Sequence, residues 1–434
     1  MLGTRGYPSY YGGFETAVRK LAPAFADAGW DVTVYSRPGA LRADDPGRDP
    51  RIRSIETHGL ETKQLSTLTY GLTSALHAAL LRRPDVALVM NVANGFWLPL
   101  LKLARIPTVV NVDGIEWERE KWGRLAKLMF LAGAHCTARF ADYLVADSRE
   151  IQRRWQVDFG RDSTFIAYGG DIPDPGTTAG PVAAAGTSTE PLPGGARPHA
   201  YALFVARMVP ENSVDAFMEA ARVIGRSFPV ILIGGAGYQD PVEDRLRSLA
   251  AEEPAVTWLG HLSDDVRLHA LWSQAGVYFH GHSVGGTNPA LVQAMACAAP
   301  IVARDTVYNR EVLGDAALFV APDPQAVAEA CLRVLWSADL RSRLGSLALA
   351  RSRRHYQWSD IAAAYVELAS TARRRRAPRS AARDRSAARD RSAARDRIAA
   401  RERSAARDQA GVPDQGPAAI PAPRGGWGAE ADAR

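Results

Sequence analysis

The sequence is poor in several residues and spacings that would carry common chemistries. It holds three cysteines, Cys136, Cys297 and Cys331, in 434 residues. They are odd in number and far apart, which excludes a disulfide framework and paired zinc-site spacing and fits a reducing cytoplasm. No apolar run is long enough to cross a bilayer, and no basic stretch leading into an apolar core opens the chain, so neither an anchor nor a signal peptide is expected. Neither GxGxxG nor GxxxxGK[ST] occurs, which argues against dinucleotide and P-loop chemistry. No DxD-type carboxylate pair sits at a strand end, so no metal and no other cofactor is expected. The net charge of +6 is modest and much of the arginine lies near the C-terminus, so no nucleic-acid partner is expected.

What is present is apolar: 47% of residues are hydrophobic, enough for two cores. Valine- and leucine-rich runs alternate with helix-length patterns, as in WDVTVYS at 30–36, DVALVMN at 85–91, PTVVNVD at 107–113 and DYLVAD at 142–147. The alternation resumes with ALFVAR at 202–207, PVILIGG at 229–235, VTWLG at 256–260, GVYFHG at 276–281, PIVARD at 300–305 and ALFVAP at 317–322. This is the pattern of parallel strands covered by helices, here in two α/β domains facing a cleft. The expected organisation is an N-terminal domain over 1–171, a Pro/Gly-rich linker over 172–198, a second domain over 199–358, a last helix over 359–374 and a tail over 375–434. Hexapeptides of the SAARDR type fill 380–409; almost nothing in them is apolar, so the tail is expected to be disordered. Only Met1 and Leu2 precede the first glycine loop, so the first strand is nearly absent and a longer reading frame upstream is expected.

HGHSVGGTNPALVQAM, residues 280–295, concentrates special residues before one helix. Asn288 is a good N-cap and Pro289 loses no hydrogen bond at the first helical position. Leu291, Val292 and Met295 share a face, so a glycine loop opens a helix whose free amides and dipole favour an anion. His280 and His282 sit at a strand end beside this loop and are assigned to the site, whereas His58, His77 and His269 are expected to be ordinary structural histidines. A second glycine loop, GTRGYPSYYGGFETAVRKLAP, places Gly12 and Gly13 before a helix with Glu15 in its first turn and Pro23 expected to kink it. DGIEWEREKW at 113–122 gathers carboxylates and indoles at a strand end, where Asp113, Glu116 and Trp117 suit sugar hydroxyls and sugar faces; a helix start with solvated acids and core tryptophans is the alternative.

In this order, GTRGYPSYYGGFETAVRKLAP, NVDGIEWEREKW, VADS, IAYGG, VARMVPEN, HGHSVGGTNPALVQAM and NREVLGDA resemble the retaining GT-B glycosyltransferases of glycosyltransferase family 4, most closely their bacterial rhamnosyltransferase branch. The resemblance implies two Rossmann-like domains, a nucleotide sugar (dTDP-rhamnose in that branch) held mainly by the second, and a saccharide or lipid-linked saccharide acceptor. It also implies work in cell-surface polysaccharide synthesis in the cytoplasm, with peripheral contact to the membrane. It makes Arg207 the diphosphate-binding arginine, with Gly12, Gly13, His280, Gly285, Gly286, Thr287 and Asn288 on the donor side. Glu15 falls on the acceptor side together with Asp113, Glu116 and Trp117. Asp113 and His282 join Arg207 as the catalytic candidates, and no enzymic nucleophile is expected.

The chain departs from the family at three positions. Asn212 stands where many relatives have a lysine, leaving fewer positive charges for the leaving group. Gly285 and Gln293 stand where the larger family has two glutamates; Gln293 keeps a hydrogen bond to the donor ribose and loses the charge. Asn212, Gln293 and the nearly absent first strand keep open a catalytically impaired sugar-nucleotide-binding or scaffold protein; the same GT-B architecture keeps open a sugar-nucleotide epimerase, which would need an acid/base pair that the sequence does not offer.

Overall fold

The computed structural model describes residues 1–10, 12–40, 45, 47–60, 66–112, 114–119, 122–173, 191–236 and 241–376. Asp113, most of the 172–198 linker and the tail from 377 onward lie outside these residues.

Every apolar run picked out above forms a strand. In the N-terminal lobe β1 (Thr33–Ser36) pairs with β2 (Arg53–Glu56), and β3 (Ala87–Met90), β4 (Thr108–Asn111), β5 (Tyr143–Ala146) and β6 (Thr164–Phe165) form a parallel sheet in that order. Met1 and Leu2 bridge the two sheets without forming a strand of their own. Leu2 donates to Leu88 O (3.0 Å) and accepts from Met90 N (2.9 Å), while Met1 O accepts from Tyr35 N (3.0 Å). Helix α1 (Gly13–Asp27) runs on through Pro23 and buries Val18, Leu21 and Phe25. Helices α2 (Ser66–His77), α3 (Leu98–Leu103), α4 (Arg124–Phe140) and α5 (Arg149–Phe159) complete this lobe.

The C-terminal lobe is one parallel sheet of six strands, β7 (Ala202–Val205), β8 (Val230–Ile233), β9 (Val256–Trp258), β10 (Val277–His280), β11 (Ile301–Arg304) and β12 (Ala317–Val320), in the order β12-β11-β10-β7-β8-β9. VILI and VYFH are buried throughout, because helices cover both faces and no alternation is needed. The rings of Phe204, Phe217 and Phe279 stack at 4.7–6.2 Å between sheet and helix. The chain winds outward from β7 to β9 and then returns to lay β10 beside β7, so the strand order reverses there and a crevice opens at the carboxyl ends of these two strands.

Helices α6 (Val214–Ile224), α7 (Pro241–Glu252), α8 (Asp265–Ser273), α9 (Pro289–Ala296), α10 (Val307–Leu313), α11 (Pro324–Trp336) and α12 (Ala338–His355) belong to this lobe. The last helix, α13 (Trp358–Arg376), returns to the N-terminal lobe and packs on α1 and β4, where Asn111 Nδ2 donates to Tyr365 Oη at 2.7 Å. Among the described residues no helix is long and apolar enough to cross a membrane.

Candidate active site

A cleft of about 270 Å³ lies between the two lobes, over the crevice beside β7 and β10. Arg207 follows β7 and lines it, as do His280, His282, Gly286, Thr287, Asn288 and Gln293 from the second lobe and Gly12 and Gly13 from the first. Helix α9 starts as its sequence demands: Asn288 Oδ1 accepts from Ala290 N at 3.0 Å, and Pro289 occupies the first turn. Gly285 has φ +123°, open to glycine and strained for other residues, and its position turns the loop into the helix.

The loop after β10 is pinned from three sides. Ser213 Oγ donates to Gly281 O (2.8 Å), Ser283 N donates to Glu211 O (2.9 Å), and Asn309 of the NREVLGDA motif donates to His282 O (2.9 Å). Asn212 donates through Nδ2 to Arg207 O at 2.7 Å, which orients its Oδ1 toward His282 Nδ1, also at 2.7 Å, so the imidazole donates there. Burial holds the His282 pKa well below the usual histidine range, and the nearby charges of Arg119 and Arg207 push it the same way, so the ring is neutral near pH 7. His280 is lowered to about 3 by burial. Its Nδ1 meets Tyr278 Oη at 3.0 Å, while its Nε2 is buried without a hydrogen-bond partner. A neutral imidazole pair beside a guanidinium and a helix N-terminus can hold an anionic group and its polar neighbours without adding a proton donor of high acidity.

Four expected site residues face other tasks. Glu15 is buried at the start of α1 and accepts from Arg5 N at 3.1 Å, because the glycine loop folds back over it; it is not in the cleft wall. Glu116 is buried as well, 2.8 Å from Arg119 Nε, and accepts from Trp122 Nε1 at 2.9 Å. Trp117 packs edge-on against Phe159 at 5.8 Å, away from the cleft. Gln293 reaches the cleft wall, yet both ends of its amide engage the backbone of Asp171, whose N–H it accepts (2.9 Å) and whose carbonyl it donates to (2.7 Å). Gly286 lies so close to Asp147 of the opposite lobe that a Cβ there would overlap the carboxylate, and Thr287 Oγ1 donates to Asp147 O.

The structure adds cleft residues that composition and spacing did not single out. Arg119, 7% exposed, lines the wall from the N-terminal lobe. Arg19 and Lys20 on α1 pair with Asp265 (2.8 Å) and Asp171 (2.6 Å). His269, expected to be structural, also faces the cleft, and burial lowers its pKa.

Each lobe matches a known domain family. Residues 12–169 match the family described as "Glycosyl transferase 4-like domain", and residues 199–337 match "Glycosyl transferases group 1". The chain is similar to O-antigen chain mannosyltransferase B of Escherichia coli, 26% identical over 165 residues that cover 37% of this chain and 43% of the relative. It is also similar to the phosphatidyl-myo-inositol mannosyltransferase of Mycobacterium leprae, 28% identical over 231 residues, 51% of this chain and 57% of the relative. The chain thus spans about half the length of the curated relatives it matches. Among solved structures it resembles sucrose-phosphate synthase of Thermosynechococcus elongatus, with a TM-score of 0.66 at 19% identity, covering 83% of this chain and 93% of that one. HepE of Anabaena in complex with UDP-glucose gives 0.63 at 16% identity, covering 83% and 96%. The fold is GT-B: two lobes of parallel sheet facing a central cleft.

Proposed function

We propose that this GT-B chain is a glycosyltransferase that moves a sugar from a nucleoside diphosphate to a saccharide or lipid-linked saccharide acceptor. The observation that carries this reading is the convergence of Arg207, the Gly286–Asn288 amides and the N-terminus of α9 on one cleft at the strand-order reversal. A guanidinium takes two phosphate oxygens, and free helix amides favour negative charge. In the proposed step the bond from the anomeric carbon to the diphosphate oxygen breaks and a bond from that carbon to the acceptor oxygen forms. The departing phosphate oxygen takes the acceptor proton on the same face of the sugar, which gives retention.

No metal is assigned to this step, since Arg207 and α9 supply positive charge where the diphosphate leaves. Rhamnose from dTDP-rhamnose is the donor we favour, on the sequence resemblance. The two mannosyltransferase relatives make a mannosyl donor the first competitor. One relative is named for an O-antigen chain and the other for phosphatidyl-myo-inositol, which supports a glycan or lipid acceptor.

Incubating the protein with dTDP-, UDP- and GDP-sugars and a lipid-linked saccharide, and measuring released nucleoside diphosphate, tests this reading. Release that depends on acceptor and disappears in Arg207→Ala supports it. Tight nucleotide binding with no release would favour a non-catalytic binding protein, a second reading that draws on the engagement of Gln293 with Asp171.

A further inference from the structure

Within DGIEWEREKW, Glu116 and Trp122 position an arginine. Gly114 has φ +80°, and a Cβ there would lie 2.7 Å from Arg119 Nη2, so a side chain at this position would push the guanidinium aside. Glu116 Oε1 sits 2.8 Å from Arg119 Nε, and the Trp122 indole donates to the other Glu116 oxygen at 2.9 Å. Both partners of the ion pair are buried, at 8% and 9% side-chain exposure. Desolvating such a pair is costly, and an apolar pair of similar volume would often be at least as stable, so stability alone is a weak reason to keep it in a cleft wall.

We propose that Arg119 is a second diphosphate-binding cation, supplied by the N-terminal lobe to face Arg207 across the cleft. This rests on the reading of the cleft as a nucleotide-sugar site. Four cationic side chains line the cleft among the described residues: Arg19, Lys20, Arg119 and Arg207. Each of the first three stands against a carboxylate, Arg19 and Lys20 on α1 against the more exposed Asp265 and Asp171, and Arg119 against the buried Glu116 that fixes its position. Arg119 lines the same cleft wall as Arg207, His282 on the loop between β10 and α9, and Asn288 and Pro289 at the start of α9. A diphosphate seated at the α9 N-terminus would share this cleft with one guanidinium from each lobe. Arg119 thus compensates from the opposite lobe for the uncharged side chain of Asn212, which is itself engaged with Arg207 O and His282. Because the two cations belong to different lobes, ligand charge draws the lobes together, and the leaving group is better held as its charge grows.

Calorimetric titration of UDP and dTDP, and of the matching monophosphates, into the parent and into Arg119→Gln, Arg119→Lys and Arg207→Gln tests the assignment. Loss of a charge-assisted bond predicts that Arg119→Gln weakens diphosphate binding about tenfold or more while monophosphate binding changes less than about threefold, with Arg119→Lys in between. The double variant Glu116→Gln/Arg119→Gln removes the orphaned buried carboxylate and should stay as weak as the single one. Recovery of affinity in the double variant, or equal loss for diphosphate and monophosphate, would show that Arg119 merely holds the wall together and overturn the proposal. Unchanged diphosphate affinity in Arg119→Gln beside a large loss in Arg207→Gln also overturns it, leaving the nucleotide-site reading intact. A parent that binds neither nucleotide ends both.

Discussion

The side-chain amide of Gln293 closes on both backbone groups of Asp171, accepting from its N–H at 2.9 Å and donating to its carbonyl at 2.7 Å. Asp171 lies at the end of the N-terminal lobe and Gln293 on α9, so this pair fastens the crossover between lobes to the helix that opens onto the cleft. A carboxamide satisfies both the donor and the acceptor of that residue, whereas an ionised carboxylate can only accept.

A glutamate at 293 keeps the first bond and sets a carboxylate oxygen against the Asp171 carbonyl. Gln293→Glu should therefore lose about 1–3 kcal/mol of stability, the usual penalty for a buried group left unpaired. Urea unfolding monitored by circular dichroism checks this. An unchanged midpoint, or tighter donor binding with no loss of stability, would show that the amide clamp is dispensable and that position 293 serves the ribose.

Gly286 and Arg207 both line the cleft, yet their replacement should have different signatures. A side chain at Gly286 overlaps the Asp147 carboxylate across the lobe interface, so Gly286→Ala should lower the melting midpoint and nucleotide affinity together. Arg207→Ala truncates a cleft-lining side chain; it should weaken diphosphate binding about tenfold or more and leave melting nearly unchanged. Intact melting in Gly286→Ala would mean that the loop relaxes away from Asp147 without consequence.

The buried histidines predict acid sensitivity. His280 has its pKa lowered from 6.5 to about 3 in the folded chain, so its contribution is fully present above pH 6.5 and is lost as pH falls toward 3. Between pH 7 and pH 5 one such group removes about 2 kcal/mol, at 1.36 kcal/mol per unit below its unfolded pKa. His280→Phe should shrink the difference in unfolding free energy between these two pH values by about that amount. Identical pH dependence in parent and variant would rule out His280 as a source of the sensitivity.

Ten strands were legible because they read as continuous apolar runs; β2, with RSIE exposed at both ends, and the two-residue β6 carry no such run. The opening of α9 was legible too, since an Asn-Pro step and a glycine pair act locally. What stayed hidden depends on distant partners. Gln293 meets Asp171 across 122 residues, and Gly286 meets Asp147 from the other lobe. Within DGIEWEREKW the acids drew attention as ligands for hydroxyls, yet Glu116 turns inward because Arg119 and Trp122 claim both of its oxygens. Sequence spacing shows which groups are near one another along the chain and says nothing of which pairs neutralise each other first.

Asn212 decides how the cleft would take another positive charge. Its amide donates to Arg207 O and receives His282 Nδ1–H, each at 2.7 Å, in a site where it is 6% exposed. A lysine here could reach a phosphate oxygen, a bond contributing roughly 1.5–3 kcal/mol, but without ligand it forfeits the bond to His282 and adds an ammonium to a cleft already lined by guanidinium groups. Two opposed expectations follow for Asn212→Lys. Without ligand it should be less stable than the parent by about 2 kcal/mol or more, since a buried donor loses its partner and like charges approach. With nucleoside diphosphate the balance shifts, because a ligand bound only by the folded state stabilises it in proportion to its affinity. The rise in melting midpoint on adding saturating UDP or dTDP should then be larger for the variant than for the parent. Thermal unfolding of both proteins with and without nucleotide measures both quantities in one experiment. A variant as stable as the parent without ligand would show that the Asn212–His282 bond contributes nothing to holding the cleft, and the account of that loop given by its hydrogen bonds would fall.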